Sequence, residues 1–273
     1  MSSWPLSVGC CVGGDPEEIA ALHATDADYV ELPVARALMA TDSAFETLAA
    51  RLAAAKLPVL AANVFLPPHL MVVGPAADPE LLAAYTSSAV ERAERLGIQV
   101  LVFGSGASRT APAELSRERA LDQLEAFLRR VQSEAERRGM ALAIEPLESE
   151  VTNLLNTVRG TAAFVRERNL AGVGVVADLW HMERGGEDLE ALTDAADLLR
   201  HAHVAAAGRL PPAQAEDGIE DFLRRLLELG YRGACSIECR WRDFAAEAPA
   251  AVARLRSAAS AAGWERPPGR PQR

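Results

Sequence analysis

A chain of 273 residues, 49% of them apolar, has material for a sizeable core, and none of its apolar runs approaches the roughly 18 residues that a membrane-spanning helix needs. Its formal charge is −10, from 28 basic and 38 acidic residues; the basic residues are scattered along helical stretches and form no single stripe, which argues against nucleic acid as a partner. The opening MSSWPLSVGCCVGG shows no basic leader, long apolar segment or small-residue cleavage site, so a cytoplasmic protein is expected.

The first strand is expected at PLSVGCC (5–11), ahead of a helix near 15–24. The turn between them, CCVGGDPEE, has one glycine pair and lacks the GxGxxG spacing of a dinucleotide site. YVELPV (29–34) and PVLAANVF (58–65) read as strands two and three, each ahead of a helix, near 42–56 and 78–96. Strand four, IQVLVFG (98–104), runs into a GSG at 104–106 that suits either a phosphate cradle or plain loop chemistry. ALAIEPL (141–147), VGVVADL (173–179), HAHVAA (201–206) and ACSIECR (234–240) complete the strands, with helices near 114–138, 156–168, 187–196, 216–229 and 244–261.

Eight strands alternating with eight helices imply a parallel sheet, and the number of units predicts closure into a single α/β (β/α)8 TIM barrel over residues 1–266. PPGRPQR (267–273) reads as a frayed tail. Cys10, Cys11, Cys235 and Cys239 have neither zinc-ribbon nor redox spacing and are expected as buried, reduced thiols.

In such a barrel the reacting groups come from the C-terminal ends of the strands. Glu145 falls near the end of strand five, Asp178 near the end of strand six, His203 within strand seven and Glu238 near the end of strand eight. The intervals of 33, 25 and 35 residues are each about one βα unit. An isolated carboxylate inside a barrel costs several kcal/mol unless it is paired or coordinated, and one shared cation would relieve all four sites together. Two Glu, one Asp and one His make a mixed oxygen and nitrogen donor set, which points to Mn2+, with Mg2+, Co2+ or Zn2+ as the other candidates. His201 and His203, two apart on a strand, face the same way; His201 is expected to orient the ligand or to fill the core.

The stretches VELPVA, NVFLP, VFGSG followed by Arg109, AIEPLESEVTN, VADLWHM, HAHV with Arg209 six residues on, and YRGACSIE resemble the sugar phosphate isomerase/epimerase family. Its members share the xylose-isomerase-like barrel, and the nearest functional relatives are ketose 3-epimerases. The resemblance implies that Glu145, Asp178, His203 and Glu238 are metal ligands and that His181 and Arg209 meet substrate oxygens. Glu31 and Asn63 stand at motif positions expected to contact substrate. Two positions depart from the family's pattern: Val151 where a substrate-binding glutamate is usual, and Ala206 where an aspartate often stands.

A divalent ion that chelates a carbonyl and its neighbouring hydroxyl acidifies the adjacent carbon-bound proton and stabilises the enediolate. Glu145 and Glu238 would then remove and return that proton on opposite faces of the substrate. The expected reaction is epimerisation beside a ketone, or aldose–ketose isomerisation, on a carbohydrate or its phosphate. A dehydratase or lyase would share the abstraction and add an acid such as Glu148 or Glu150. A repair nuclease on the same barrel would need a three-metal histidine set that strand four and the 203–238 interval lack. A partner subunit with a degenerate site is disfavoured by four intact ligands. A homo-oligomer remains open.

Overall fold

A strand covered on both faces has no polar alternation to keep, and β6 (Val173–Asp178) is buried at every position. In the computed structural model, which describes residues 5–213 and 217–267, it is joined by β1 (Ser7–Cys11), β2 (Tyr29–Pro33), β3 (Val59–Asn63), β4 (Val100–Phe103), β5 (Ala141–Ile144), β7 (Leu199–Val204) and β8 (Ala234–Ile237). Each strand pairs in parallel with the next, and β8 pairs with β1 to close the barrel. The expected (β/α)8 fold is the one observed. Asp178 lies opposite His203, and His203 opposite Ser236, so the polar ends of β6, β7 and β8 are level.

The outer layer comprises α1 (Pro16–His23), α2 (Asp42–Ala55), α3 (Pro79–Arg95), α5 (Arg117–Glu136), α6 (Val158–Glu167), α8 (Ile219–Glu228) and α9 (Phe244–Ala261). In α8, Ile219, Phe222, Leu223 and Leu226 fall at i, i+3, i+4 and i+7 and are all buried. Each contributes about 1.5–3 kcal/mol of burial, and truncating Phe222 to Ala would cost about 3–5 kcal/mol. Helix starts are chemically marked: Asp78 Oδ1 accepts from the Glu80 and Leu81 amides at 3.0 Å, with Pro79 at the first position of α3.

The main core lies between strands and helices, while Val102, Ala143 and Val176 form a separate small apolar cluster. These three occupy inward positions of β4, β5 and β6; the inward positions of β2, β7 and β8 are polar, with Glu31, His201, His203 and Ser236 all buried. The lumen is therefore apolar on one side and polar on the other.

Four short elements lie outside the expected set: a π turn at Val34–Leu38, α4 (Gly106–Arg109), α7 (Leu179–Arg184) and a 3-10 turn at Ala207–Arg209. All follow strands at the C-terminal face, and all are too short to show a helical period. The helix expected near 187–196 is a 3-10 segment, Leu189–Ala195. No helix among the described residues is long and apolar enough to cross a membrane. All four cysteines are free, with Cys10 and Cys235 buried and Cys11 and Cys239 half-buried. Residues 268–273 of the expected tail lie outside the described residues.

Candidate metal centre

Strand ends place the four expected ligands around one nitrogen. Glu145 and Glu238 each extend the ladder one residue past their strands, through amide bonds to Phe103 O at 3.1 Å and Val204 O at 3.0 Å. Asp178 closes β6 and caps α7: its Oδ1 accepts from the His181 amide at 2.9 Å, which turns Oδ2 inward. His203 Nδ1 then lies 3.0 Å from Glu145 Oε1, 3.7 Å from Asp178 Oδ2 and 3.7 Å from Glu238 Oε2.

Beneath this layer, Glu31 is wholly buried. Its Oε1 accepts from His203 Nε2 at 3.0 Å, while Oε2 accepts from His201 Nε2 at 2.7 Å and Ser236 Oγ at 2.5 Å. Tyr29 Oη extends the chain to Ser236 Oγ at 2.6 Å. Glu31, expected among the groups that meet substrate, is placed one layer lower, where it fixes the proton of His203 on Nε2 and aims Nδ1 at the carboxylates. This is the carboxylate–histidine arrangement that orients metal-bound imidazoles. His201, on the same face, shares that carboxylate, as an orienting neighbour would.

A nitrogen lone pair cannot face three carboxylates without a cation between them. Burial pushes His203 down, but the charges of Glu31 and Glu238 outweigh it and raise the ring well above its usual range. With His203 neutral, as a metal-bound imidazole must be, the three carboxylates around Nδ1 taken as ionised and the Arg209 guanidinium leave a charge of −2 (−3 + 1). A divalent ion balances that charge, and its mixed N/O donors suit Mn2+ or Mg2+ better than a thiolate-seeking metal. The donor set fits.

His181 adds a second imidazole. Its Nδ1 is held by Glu148 Oε2, and its Nε2 is buried without a hydrogen-bond partner. Glu145, Asp178, His181 and Glu238 each bring one donor atom within 4.8 Å of the others, and Cys11, Glu31 and His203 form a second such set. The Glu148–His181 pair and the Cys11 contact to this layer were not read from the sequence. Glu148 sits in a loop, where neither period nor spacing marks a partner 33 residues away.

Two groups hold Glu238 from outside. Asn63 Nδ2 donates to Oε1 at 2.9 Å and Arg209 Nη2 to Oε2 at 2.5 Å. Arg209 has φ 59°, after Gly208 at 74°, and its guanidinium lies 5.0 Å over the Trp180 ring. Its carbonyl accepts from the Arg240 amide at 2.7 Å, so the arginine is tied to the loop after β8. The two glutamates differ electrically. Burial opposes ionisation of Glu145, but the hydrogen bond and charge of His203 hold its carboxyl down at about 2, whereas burial and the nearby Glu145 push Glu238 up.

The GSG after β4 serves this layer by close approach. A Cβ on Gly104 would meet Glu145 Oε2 at 2.2 Å, and one on Gly106 would meet Val151 Cγ1 at 2.5 Å; Ser105 Oγ accepts from the Leu66 amide at 2.9 Å. Those contacts account for the glycines as loop chemistry. Arg109, wholly buried, donates to Glu145 O at 2.7 Å and Phe103 O at 3.3 Å, which locks the ends of β4 and β5 together. Val151 is 41% exposed at the mouth, and Ala206 pairs backbone to backbone with Leu210.

The mouth has two lobes. One, of about 250 Å³, is lined by Glu145, His181, Leu147 and Val151; the other, of about 280 Å³, by Cys11, Asn63, Arg36, Arg240 and Trp241. Val64, Arg209 and Glu238 line both. Val64 has φ 44°, an unusual conformation for a β-branched residue and of the kind that gathers at functional sites.

Comparison with known proteins agrees with this fold. Over 142 residues the chain is 30% identical to the 3-dehydro-D-guloside 4-epimerase of Escherichia coli K12, a match covering 52% of each chain. Over 110 residues it is 28% identical to the ketose 3-epimerase of Arthrobacter globiformis, covering 40% of this chain and 38% of that one. The chain thus spans about half, or less, of these relatives' length. The crystal structure of a D-allulose 3-epimerase from Methylomonas sp. superposes with a TM-score of 0.80 at 19% identity, over 94% of this chain and 100% of the other, which shows a shared fold. A family model described as the xylose isomerase-like TIM barrel matches residues 19–260, and the chain belongs to that family.

Proposed function

We propose that this chain is a divalent-metal-dependent carbohydrate epimerase or isomerase, acting at the carbon beside a ketose carbonyl. The observation that carries the reading is the convergence of groups from four consecutive strands: Glu145, Asp178 and Glu238 all lie within 3.7 Å of His203 Nδ1, at the floor of a two-lobed mouth. Epimerases among the relatives support it.

Glu145, Asp178, His203 and Glu238 would hold the ion, Mn2+ first by donor type, with Mg2+, Co2+ or Zn2+ as alternatives. When bound, it supplies Lewis-acid polarisation of the substrate carbonyl and lowers the barrier to losing the neighbouring proton. Glu145 and Glu238 then act as an acid/base pair, one removing the proton from one face and the other returning it from the opposite face. Their environments push the two carboxyls apart, Glu145 down and Glu238 up, as expected of groups with separate proton-transfer roles. His181, steadied by Glu148, presents Nε2 to a substrate oxygen, and Arg209 and Asn63 keep Glu238 aimed while Arg209 offers its remaining donors to a hydroxyl. The partner is a small carbohydrate; the four free thiols suit the reducing cytoplasm.

The test is a panel of ketoses, ketose phosphates and 3-keto glycosides incubated with Mn2+-loaded protein in D2O and followed by NMR. Deuterium at the carbon beside the carbonyl with conserved molecular formula supports epimerisation or isomerisation. Loss of water would assign the dehydratase reading, with the His181–Glu148 pair as its acid. No exchange with any member would overturn both.

A further inference from the structure

A third cavity, of about 590 Å³, adjoins the active mouth and is lined by Arg36, Arg51, Ser43 and Thr47. It shares Gly13 and Arg36 with the lobe that contains Asn63 and Glu238. Its walls are the loop after β1, the π turn after β2 and the first three turns of α2, so it opens on the face where barrels of this kind place their sites.

Arg36 and Arg51 make no hydrogen bond or ion pair among the described residues. By contrast, Arg92, Arg95, Arg166, Arg168 and Arg225 all face carboxylates. The one acid lining the cavity is Asp15, which caps α1, and the nearby Glu18 carboxylate is taken up by the Gly13 and Asp15 amides at 2.7 and 3.4 Å.

Arg36 is also seated by a specific backbone. A Cβ on Gly13 would lie 2.6 Å from its Nη2, 3.1 Å from Glu18 Oε2 and 3.3 Å from Asp15 Oδ2, so glycine there leaves room for the exposed guanidinium to settle against the β1 loop beside those two carboxylates. The π turn at Val34–Leu38, a form of helix that recurs at functional sites, swings the Arg36 side chain toward that loop. Arg51 reaches the same space from α2, one helical face with Ala44, Thr47 and Leu48. Two guanidinium groups without an ion-pair partner among the described residues line this one cavity, and arginine presents the paired N–H donors that an oxyanion accepts.

We propose that this cavity is an oxyanion subsite, in which Arg36 and Arg51 bind a phosphate or carboxylate carried by the far end of the substrate whose ketose end lies at Glu238. The substrate part of this assignment rests on the carbohydrate reading above; the anion site itself does not.

Direct binding separates the two. Inorganic phosphate is titrated by calorimetry into the metal-loaded full chain and into Arg36→Gln and Arg51→Gln, with Arg119→Gln on α5 as a control. Wild type and the control should bind phosphate, and each test variant should weaken it at least tenfold at unchanged circular dichroism. Fructose 6-phosphate and 2-keto-gluconate should each bind at least tenfold more tightly than fructose in wild type, and the larger ratio names phosphate or carboxylate. Both ratios should fall toward one in the variants. Phosphate affinity equal in wild type and both variants, or no anion preference in wild type, overturns the subsite. Anion binding that depends on Arg36 and Arg51 in a protein that exchanges no ketose proton would uphold it and dismiss only the reaction.

Discussion

Gly104→Ala probes how tightly the centre is boxed in. Gly104 directly follows β4, and its backbone lies outside the positive-φ glycines, so alanine is conformationally allowed there. The new Cβ would stand 2.2 Å from Glu145 Oε2, 3.4 Å from its Cδ and 3.8 Å from its Cβ. Only the carboxylate tip clashes, and it must retreat by about 1 Å to reach an ordinary C···O separation of about 3.3 Å. Moving the end of a side chain costs little folding energy, and a tolerated Gly→Ala change returns about 0.4–1 kcal/mol through the unfolded chain. A displacement of about 1 Å in a reacting group, however, costs on the order of 100-fold in rate, or about 2.7 kcal/mol. Chemical denaturation should therefore give wild-type or slightly higher stability, while Mn2+ titration and the D2O exchange assay should show losses near 100-fold. A variant that binds Mn2+ and exchanges protons within twofold of wild type would refute the steric reasoning, because the carboxylate would then have room the distances deny.

Three further outcomes are expected. Glu31→Gln leaves the metal-facing groups in place but removes the buried carboxylate that accepts from His203, His201 and Ser236; Mn2+ affinity should fall about 10- to 100-fold, and an unchanged calorimetric affinity would deny Glu31 its orienting role. Asp178→Asn keeps the α7 cap, since Asn caps as well as Asp, so metal-free stability should stay within about 0.5 kcal/mol while metal binding is lost; Asp178→Ala should lose about 1 kcal/mol more in urea unfolding. Mn2+ at about 100 times its dissociation constant should stabilise the chain by about 2.7 kcal/mol, or about 5–11 °C in melting temperature, and identical melting in Mn2+ and in chelator would argue against a site formed only in the folded protein.

Much of this was legible in the sequence because a barrel strand carries simple information. Each strand was bounded by helix-former stretches, and in β2 and in β5 to β8 a carboxylate or histidine near the C-terminal end broke an otherwise apolar run. Reading each strand in pairs goes one step further. Tyr29 and Glu31, His201 and His203, and Ser236 and Glu238 are each two apart, and in the structure each pair lies on one face. Parity gives the shared face; the hydrogen bonds then gather Glu31, His201 and Ser236 on the side of His203 away from the three carboxylates, a placement that one motif position could not convey. The loop residues were harder. Glu148 meets His181 across 33 positions and Arg109 meets the Glu145 carbonyl across 36, and such pairings depend on how two βα loops fold over each other, which no local period encodes. The π turn that seats Arg36 spans 5 residues, shorter than any pattern that could announce it.

The two glutamates of the proposed acid/base pair are held in different ways. Glu145 is fixed from behind, through Arg109 on its carbonyl, through Gly104 against its carboxylate and through His203 at 3.0 Å. The Glu238 side chain is held at its carboxylate, by Asn63 and by an arginine whose own position depends on a loop turn at φ 59°, and it lines both lobes of the mouth. The lobe beside His181 already brings both carboxylates to one substrate, and because Glu238 lines the second lobe as well, a longer substrate can extend from there past the Val64–Arg209 divide toward Arg36. In the proposed reaction the more tightly fixed Glu145 would set where the reacting carbon stops, and Glu238, held at its tip by Asn63 and Arg209, would be the group that follows the substrate's length. Selection among sugars should then lie with the residues around Glu238 and beyond it, in the loops after β1, β2 and β8, and hardly at all with the ligands themselves.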